Sequence, residues 1–199
     1  MEWRATGHPR LVQESRTRNL VLLGGSSLGF ALLIALSARI RLDLPGTPVP
    51  ATLQTLSVLL AGGLLGPWGG VMAVCSYLGA GLSGAPVFAS GGGPAYLLGP
   101  TGGYLIGFIP AAWLAGQVSR RTQRLSWLAL GFAAATLIIH LFGWAQMAVL
   151  AGPAGAVKMG VAPFVAFDIL KALLAASAVR LYAKREERPP EDRQPGASR

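Results

Sequence analysis

From Leu44 to Ser119 the chain contains no Asp, Glu, Lys or Arg. So long an uncharged stretch excludes an ordinary soluble domain, whose surface needs charge. Acidic residues are scarce throughout, 8 against 17 Lys and Arg. The single cysteine, Cys75, rules out a disulfide within the chain and any CxxC metal pattern. Set in an apolar run, Cys75 is expected to be a small buried apolar residue. Catalytic signatures are missing too. There is no GxxxxGK[ST] phosphate loop, which excludes ATP hydrolysis by that route, and no HExxH zinc motif. One GxSxG match, Gly25 to Gly29, lies inside an apolar segment and lacks the strand-to-helix turn of a nucleophile elbow. Close helix packing is the expected reading there. No catalytic residue, metal site or cofactor is expected.

What is present is apolar length. The 199 residues are 52% hydrophobic, with mean hydropathy +0.51, and the 27 glycines fall largely inside apolar segments. This is the composition of a membrane protein with close helix packing. The predicted fold is all-α and polytopic, with six spans: Leu20–Ala38, Thr52–Leu65, Trp68–Leu82, Tyr104–Val118, Trp127–Leu150 and Phe164–Leu181. The second and third are short for a bilayer of about 30 Å and are separated by the breaker pair Gly66-Pro67. The first run suits a span better than a cleavable signal. Residues 1–19 are expected to form a basic arm, residues 20–183 the membrane domain, and residues 184–199 a disordered tail. Between spans 3 and 4 lies a Gly- and Pro-rich loop, Ser83–Gly103. Irregular backbone at a membrane is tolerated where it is buried in protein or lines a cavity.

The net charge of +9 could suggest nucleic acid, but the basic residues flank apolar spans and form no stripe with interleaved aromatics, so no nucleic-acid partner is expected. They act as topology signals. With both termini cytoplasmic, thirteen basic residues fall inside, and only Arg39, Arg41 and Lys158 fall in outer loops. The predicted location is the bacterial cytoplasmic membrane, multi-pass and in contact with lipid, with the Gly-rich loop outside.

Against this background Asp168 and Lys171 stand out. They lie inside the last span, one helical turn apart on one face. A charge at bilayer depth costs about 2.5–3.5 kcal/mol on insertion scales and usually marks a substrate or ion site. The pair could grip a small polar molecule that offers both donors and acceptors, or form a structural ion pair, although a buried pair is often no more stabilising than apolar packing. Gln54 could add donor and acceptor capacity, or be an interfacial glutamine. Phe88, Tyr96 and Tyr104, in or beside the Gly-rich loop, could form an apolar lid or an interfacial belt. His140, in span 5, could face a polar cavity, although a packing histidine with a local hydrogen bond is the favoured expectation. Ala31 and Ala35 form a small-xxx-small pattern for which internal packing is the default.

Several segments resemble the BioY family: Val49 to Leu56 (VPATLQTL), Leu60 to Pro67, Gly84 to Ala89, Leu98 to Tyr104 (LGPTGGY), and Gly160 to Phe164 followed by Asp168 and Lys171. They occur in order and cover roughly residues 20–181. The resemblance implies a biotin-binding S component of an energy-coupling factor (ECF) transporter: a six-helix bundle with biotin near the outer face. It also implies a transmembrane coupling subunit meeting Ala31 and Ala35, and two separate ATPase subunits. An S component for another vitamin, or a biotin transporter working without the ATPases, are the alternatives within transport. A ureido ring offers two N–H donors and one carbonyl, matching Asp168 and Lys171 respectively. Gln54, Thr101, Gly102, Gly103 and Tyr104 lie in matching motifs and are the next candidates. The carboxylate has no basic partner in Ser83–Gly103, so glycine N–H groups or Ser90 could meet it, or Lys171 could take it with the ligand reversed. Two departures from the family pattern stand at Ala166-Phe167, where a Pro-Gly pair is expected, and at Arg39, where a neutral polar residue is expected.

Overall fold

A computed structural model describes the backbone from Pro9 to Glu187 and the side chains of residues 22–186. The order is α1 (Pro9–Arg39), β1 (Arg41–Leu42), β2 (Ala51–Thr52), α2 (Gln54–Leu82), a 3₁₀ turn (Pro94–Leu98), α3 (Gly102–Arg121), α4 (Leu125–Ala156), a π turn (Val157–Val161) and α5 (Val165–Glu187). The expected basic arm is helical from Pro9 on; no Gly or Pro follows Pro9 before Gly24 to stop it. Residues 1–8 and 188–199, the rest of the expected arm and most of the expected tail, lie outside the described residues.

α2 is a folded hairpin. Gly66 adopts φ 79°, ψ 178°, outside the helical region and accessible to glycine, and Pro67 follows it. Along a straight helix, Gly62 and Gly70 would be about 12 Å apart. Here a Cβ added to Gly70 would fall 2.6 Å from Gly62 Cα. The halves 54–65 and 67–82 therefore run back against each other, as the Gly66-Pro67 breaker predicted.

This hairpin packs against α1, α3 and α5; α3 then packs on α4, and α4 on α5. The ring of α2, α3, α4 and α5 encloses a core that includes Val58, Leu59, Phe132 and Ala176, all fully buried. The outside is apolar as well. Leu28, Leu32 and Leu36 on α1, Leu130, Leu137 and Leu141 on α4, and Leu170 and Leu174 on α5 are all exposed. Such a belt suits lipid, not water. Cys75 also lies exposed, contrary to the burial expected of it, because it falls on the outward face of α2.

By length and composition three helices among the described residues could cross a membrane: 22–39, 54–82 and 125–161. Six spans were expected. The hairpin α2 counts once here, while the Gly, Pro and Gln of α3 and the charges of α5 dilute their apolar character.

One departure from an all-α fold is the antiparallel pair β1–β2, with Arg41 opposite Thr52 and Leu42 opposite Ala51. It ties the chain after α1 to the segment leading into α2. The Gly-rich segment is ordered by its own contacts. Phe88 and Gly91 form a β-bridge, the Phe88 ring lies tilted against Tyr96 at 4.9 Å and meets Tyr77 edge to face at 5.5 Å, and a Cβ at Gly81 would strike that ring.

Candidate substrate-binding site

Near the β1–β2 end of the bundle lies a narrow cavity of about 60 Å³. Its walls are largely apolar, with Leu105 and Phe108 from α3, Ile139 from α4 and Phe164 just before α5. The 49–52 segment, Ala89 and Tyr96 frame one side. Polar groups converge from α2, α4 and α5.

The polar centre is Asp168. Lys171 Nζ donates to Asp168 Oδ1 at 2.7 Å. His140 Nε2, from α4, lies 2.9 Å from Oδ2, though off the hydrogen-bond direction. All three are buried: Asp168 is 6% exposed, His140 7% and Lys171 8%. One carboxylate is thus held between an ammonium on its own helix and an imidazole on the neighbouring one. Taking such a group out of water is expensive, and the pairing offsets the cost only if the charges balance and the remaining donors find partners. Some capacity is unspent. An ammonium has three N–H donors, and Lys171 uses one on Asp168. His140 Nδ1 is buried without a partner among the described residues. His140 was expected chiefly to pack, with a polar cavity as the alternative, and it is the alternative that the cavity lining favours; its place beside Asp168 depends on how α4 meets α5, which no local spacing encodes.

Gln54 also lines the cavity. Its Nε2 donates to Tyr77 Oη at 2.6 Å and its Oε1 accepts from Thr52 Oγ1 at 3.2 Å, so the amide is locked in orientation. Tyr104 lines the cavity while its hydroxyl donates to Gly160 O at 2.6 Å, fastening α3 to the π turn. The Tyr104 and His140 rings meet edge to face at 6.3 Å. Thr101 and Tyr96 are in the wall. Gln146 Nε2, on α4, donates to Leu97 O at 2.7 Å and Gly99 O at 2.6 Å, holding the 3₁₀ turn beside the cavity.

Other sequence candidates fall elsewhere. Phe88 is fully buried behind Tyr96 and does not reach the cavity; a ring wedged against Gly81 is a plug and not a lid. Gly102 and Gly103 do not line it either. Cβ atoms there would strike Leu97 O and Phe142 O, so both glycines serve close backbone packing. Ala31 is 9% exposed and Ala35 half-buried against the same core. Phe167 is 47% exposed and points away from the cavity. Arg39 binds the Gly-rich segment, donating from Nη2 to Pro86 O.

Behind the ion group a second, apolar recess opens between α4 and α5, lined by Ala133, Leu137, Val165 and Ile169 and reaching His140 and Asp168 from the outer face of the bundle.

A bundle with an apolar exterior and an apolar cavity centred on one buried ion group is an integral membrane protein built to hold a small polar-headed molecule. Comparison with known proteins gives the family. The BioY family profile matches residues 11–188, and the chain belongs to the BioY family. It is 41% identical over 147 residues to the probable biotin transporter BioY of Pyrococcus horikoshii, covering 73% of this chain and 86% of that one. It is 39% identical over 162 residues to the biotin transporter BioY of Thermotoga maritima, covering 80% and 95%. The fold is similar to a crystal structure of the S-component for biotin from an ECF-type ABC transporter, with TM-score 0.76, 25% identity, and 84% and 93% of the two chains covered.

Proposed function

We propose that this chain binds biotin and takes it across the cytoplasmic membrane as the substrate-specific component of an ECF-type transporter. The observation that carries the reading is the buried Asp168, Lys171 and His140 group in the cavity of a BioY-family chain. A ureido ring presents two N–H donors and a carbonyl. Asp168 accepts from an N–H, Lys171 donates to the carbonyl with an unspent proton, and His140 Nδ1 is a further polar contact. Gln54 and Thr101 border the ring, and Phe108, Ile139 and Phe164 take its fused apolar part.

The membrane arrangement we infer is six crossings: α1, the two halves of α2, α3, α4 and α5. The reversal at Gly66 supports it, as does the excess of Lys and Arg that puts both termini in the cytoplasm and the Gly-rich segment outside. A transmembrane coupling subunit and two ATPases would supply the energy.

Calorimetry of the purified chain in detergent, titrated with biotin, thiamin and riboflavin, tests the substrate. Saturable heat from biotin alone is expected. A folded protein that takes up thiamin or riboflavin instead would overturn the assignment. Copurification of the coupling subunit and ATPases with the tagged chain tests the partners; biotin uptake by cells lacking them would show that the chain works alone.

A further inference from the structure

Beside the cavity mouth the structure carries a second, polar recess lined by Arg39, Arg41, Ala89 and Ser90. Ala89 belongs to both, forming the partition between recess and cavity. Arg41 is placed there by the β1–β2 pair, opposite Thr52, which itself lines the cavity. Its Nη1 donates to Ala89 O and to Ser90 Oγ, each at 2.8 Å. Arg39 donates to Pro86 O. Carbonyl and hydroxyl oxygens orient a guanidinium without cancelling its charge. The nearby carboxylate, Asp43, stands 3.7 Å from Arg41 Nε and its side chain is 71% exposed, so water screens it. A guanidinium has five N–H donors, and most of those on Arg39 and Arg41 remain for another acceptor. Ser90, having accepted from Arg41, still has its own O–H to donate.

The two ends of the site therefore differ in electrostatic character. Inside, Asp168 already pairs with Lys171 beside His140, so the ammonium there is matched by a carboxylate and carries no surplus charge for a second anion. At the mouth, two oriented cations lie without a balancing buried acid. An elongated ligand with a neutral polar ring at one end and an anion at the other is sorted by this difference.

We propose that Arg39 and Arg41 form a carboxylate-binding site at the cavity mouth, which fixes the ligand ring-first and selects against neutral analogues. The inference rests on the biotin reading and deepens it, because the Gly-rich segment itself supplies no basic residue. Arg39, a departure from the family pattern, acquires a role through it. Paired N–H donors facing a carboxylate are the geometry in which arginine is favoured over lysine.

The test compares biotin with biotinamide, in which a neutral amide replaces the carboxylate, on the full chain in detergent at low and high salt. The wild type is expected to bind biotin about tenfold or more tightly than the amide, since a charged hydrogen bond is lost. In the Arg39→Gln/Arg41→Gln double variant that ratio is expected to fall towards one, with amide affinity within about threefold of wild type. Added salt should narrow the wild-type ratio and leave the variant unmoved. Equal weakening of both ligands in the variant would mean that the arginines only strap the loop, and a ratio unchanged from wild type would mean that the anion binds elsewhere; either overturns the proposal. A wild type that binds both molecules equally overturns it and leaves the biotin reading standing. A wild type that binds neither overturns both.

Discussion

The α2–α3 side of the bundle and the α4–α5 side use the same apolar alphabet for different ends. On the first side backbones touch. A Cβ at Gly62 would strike Ala112 O, one at Gly116 would strike the Pro67 nitrogen, and Gly70 lies on Gly62. No charged side chain lies within α2. On the second side the helices part enough to leave a recess outside and a cavity inside, with His140 and Asp168 lining both. The first side is a rigid frame whose rigidity comes from missing side chains. The second places ionised groups at the point where packing is loosest, which is where a ligand can complete what the protein leaves unfinished.

The comparison predicts how substitutions divide, from the largest effect to the smallest. Gly62→Val forces two backbones apart and is expected to destabilise by about 3 kcal/mol or more, beyond ordinary overpacking. Thermal unfolding in detergent should show it, with ligand affinity falling only as folded protein is lost. If Gly62→Val kept its melting temperature and lost affinity selectively, the frame would not be a frame. Asp168→Asn works the other way. It keeps the shape, removes the charge that balances Lys171, and is expected to weaken biotin by about 100-fold, or roughly 2.7 kcal/mol. Calorimetry beside a melting curve separates the two losses, and normal affinity would remove Asp168 from the site.

His140→Phe fills the same space without a ring nitrogen. Its expected effect is about tenfold on affinity, from one lost polar contact; a fully retained affinity would return the histidine to packing alone. Phe167→Leu, on the outward face of α5, is expected to change affinity by less than about twofold. A larger change measured in the same titration would mean that the outer recess takes part in binding.

Much of this division was legible in the residues. The mostly helical build follows from apolar runs, the reversal of α2 from Gly66-Pro67, and Asp168 with Lys171 from the rarity of charge and their spacing on one helix. Each of these is a local pattern. The features that were illegible are those made by two distant segments meeting. His140 reaches Asp168 across the α4–α5 seam, and Arg41 reaches Ala89 because a two-residue strand pairs with another. Phe88, Gly102 and Gly103 fall in matching motifs, yet they serve the packing that holds the cavity and not its wall. A motif records that a residue is needed and leaves open whether its side chain meets a ligand or a neighbour.

Cys75 offers the means to keep such losses apart. The chain has one thiol, and it lies on the outward face of α2, two residues from Tyr77 and the Gln54 amide. Alkylation by a water-soluble maleimide needs the reagent to meet the sulfur, and a hydrocarbon surround keeps it away. In bilayer or detergent the thiol is expected to stay silent, and in denaturing micelles to label fully. Every variant thus brings its own unlabelled baseline, and a protein that has lost its ligand can be told from one that has lost its membrane by a single native thiol.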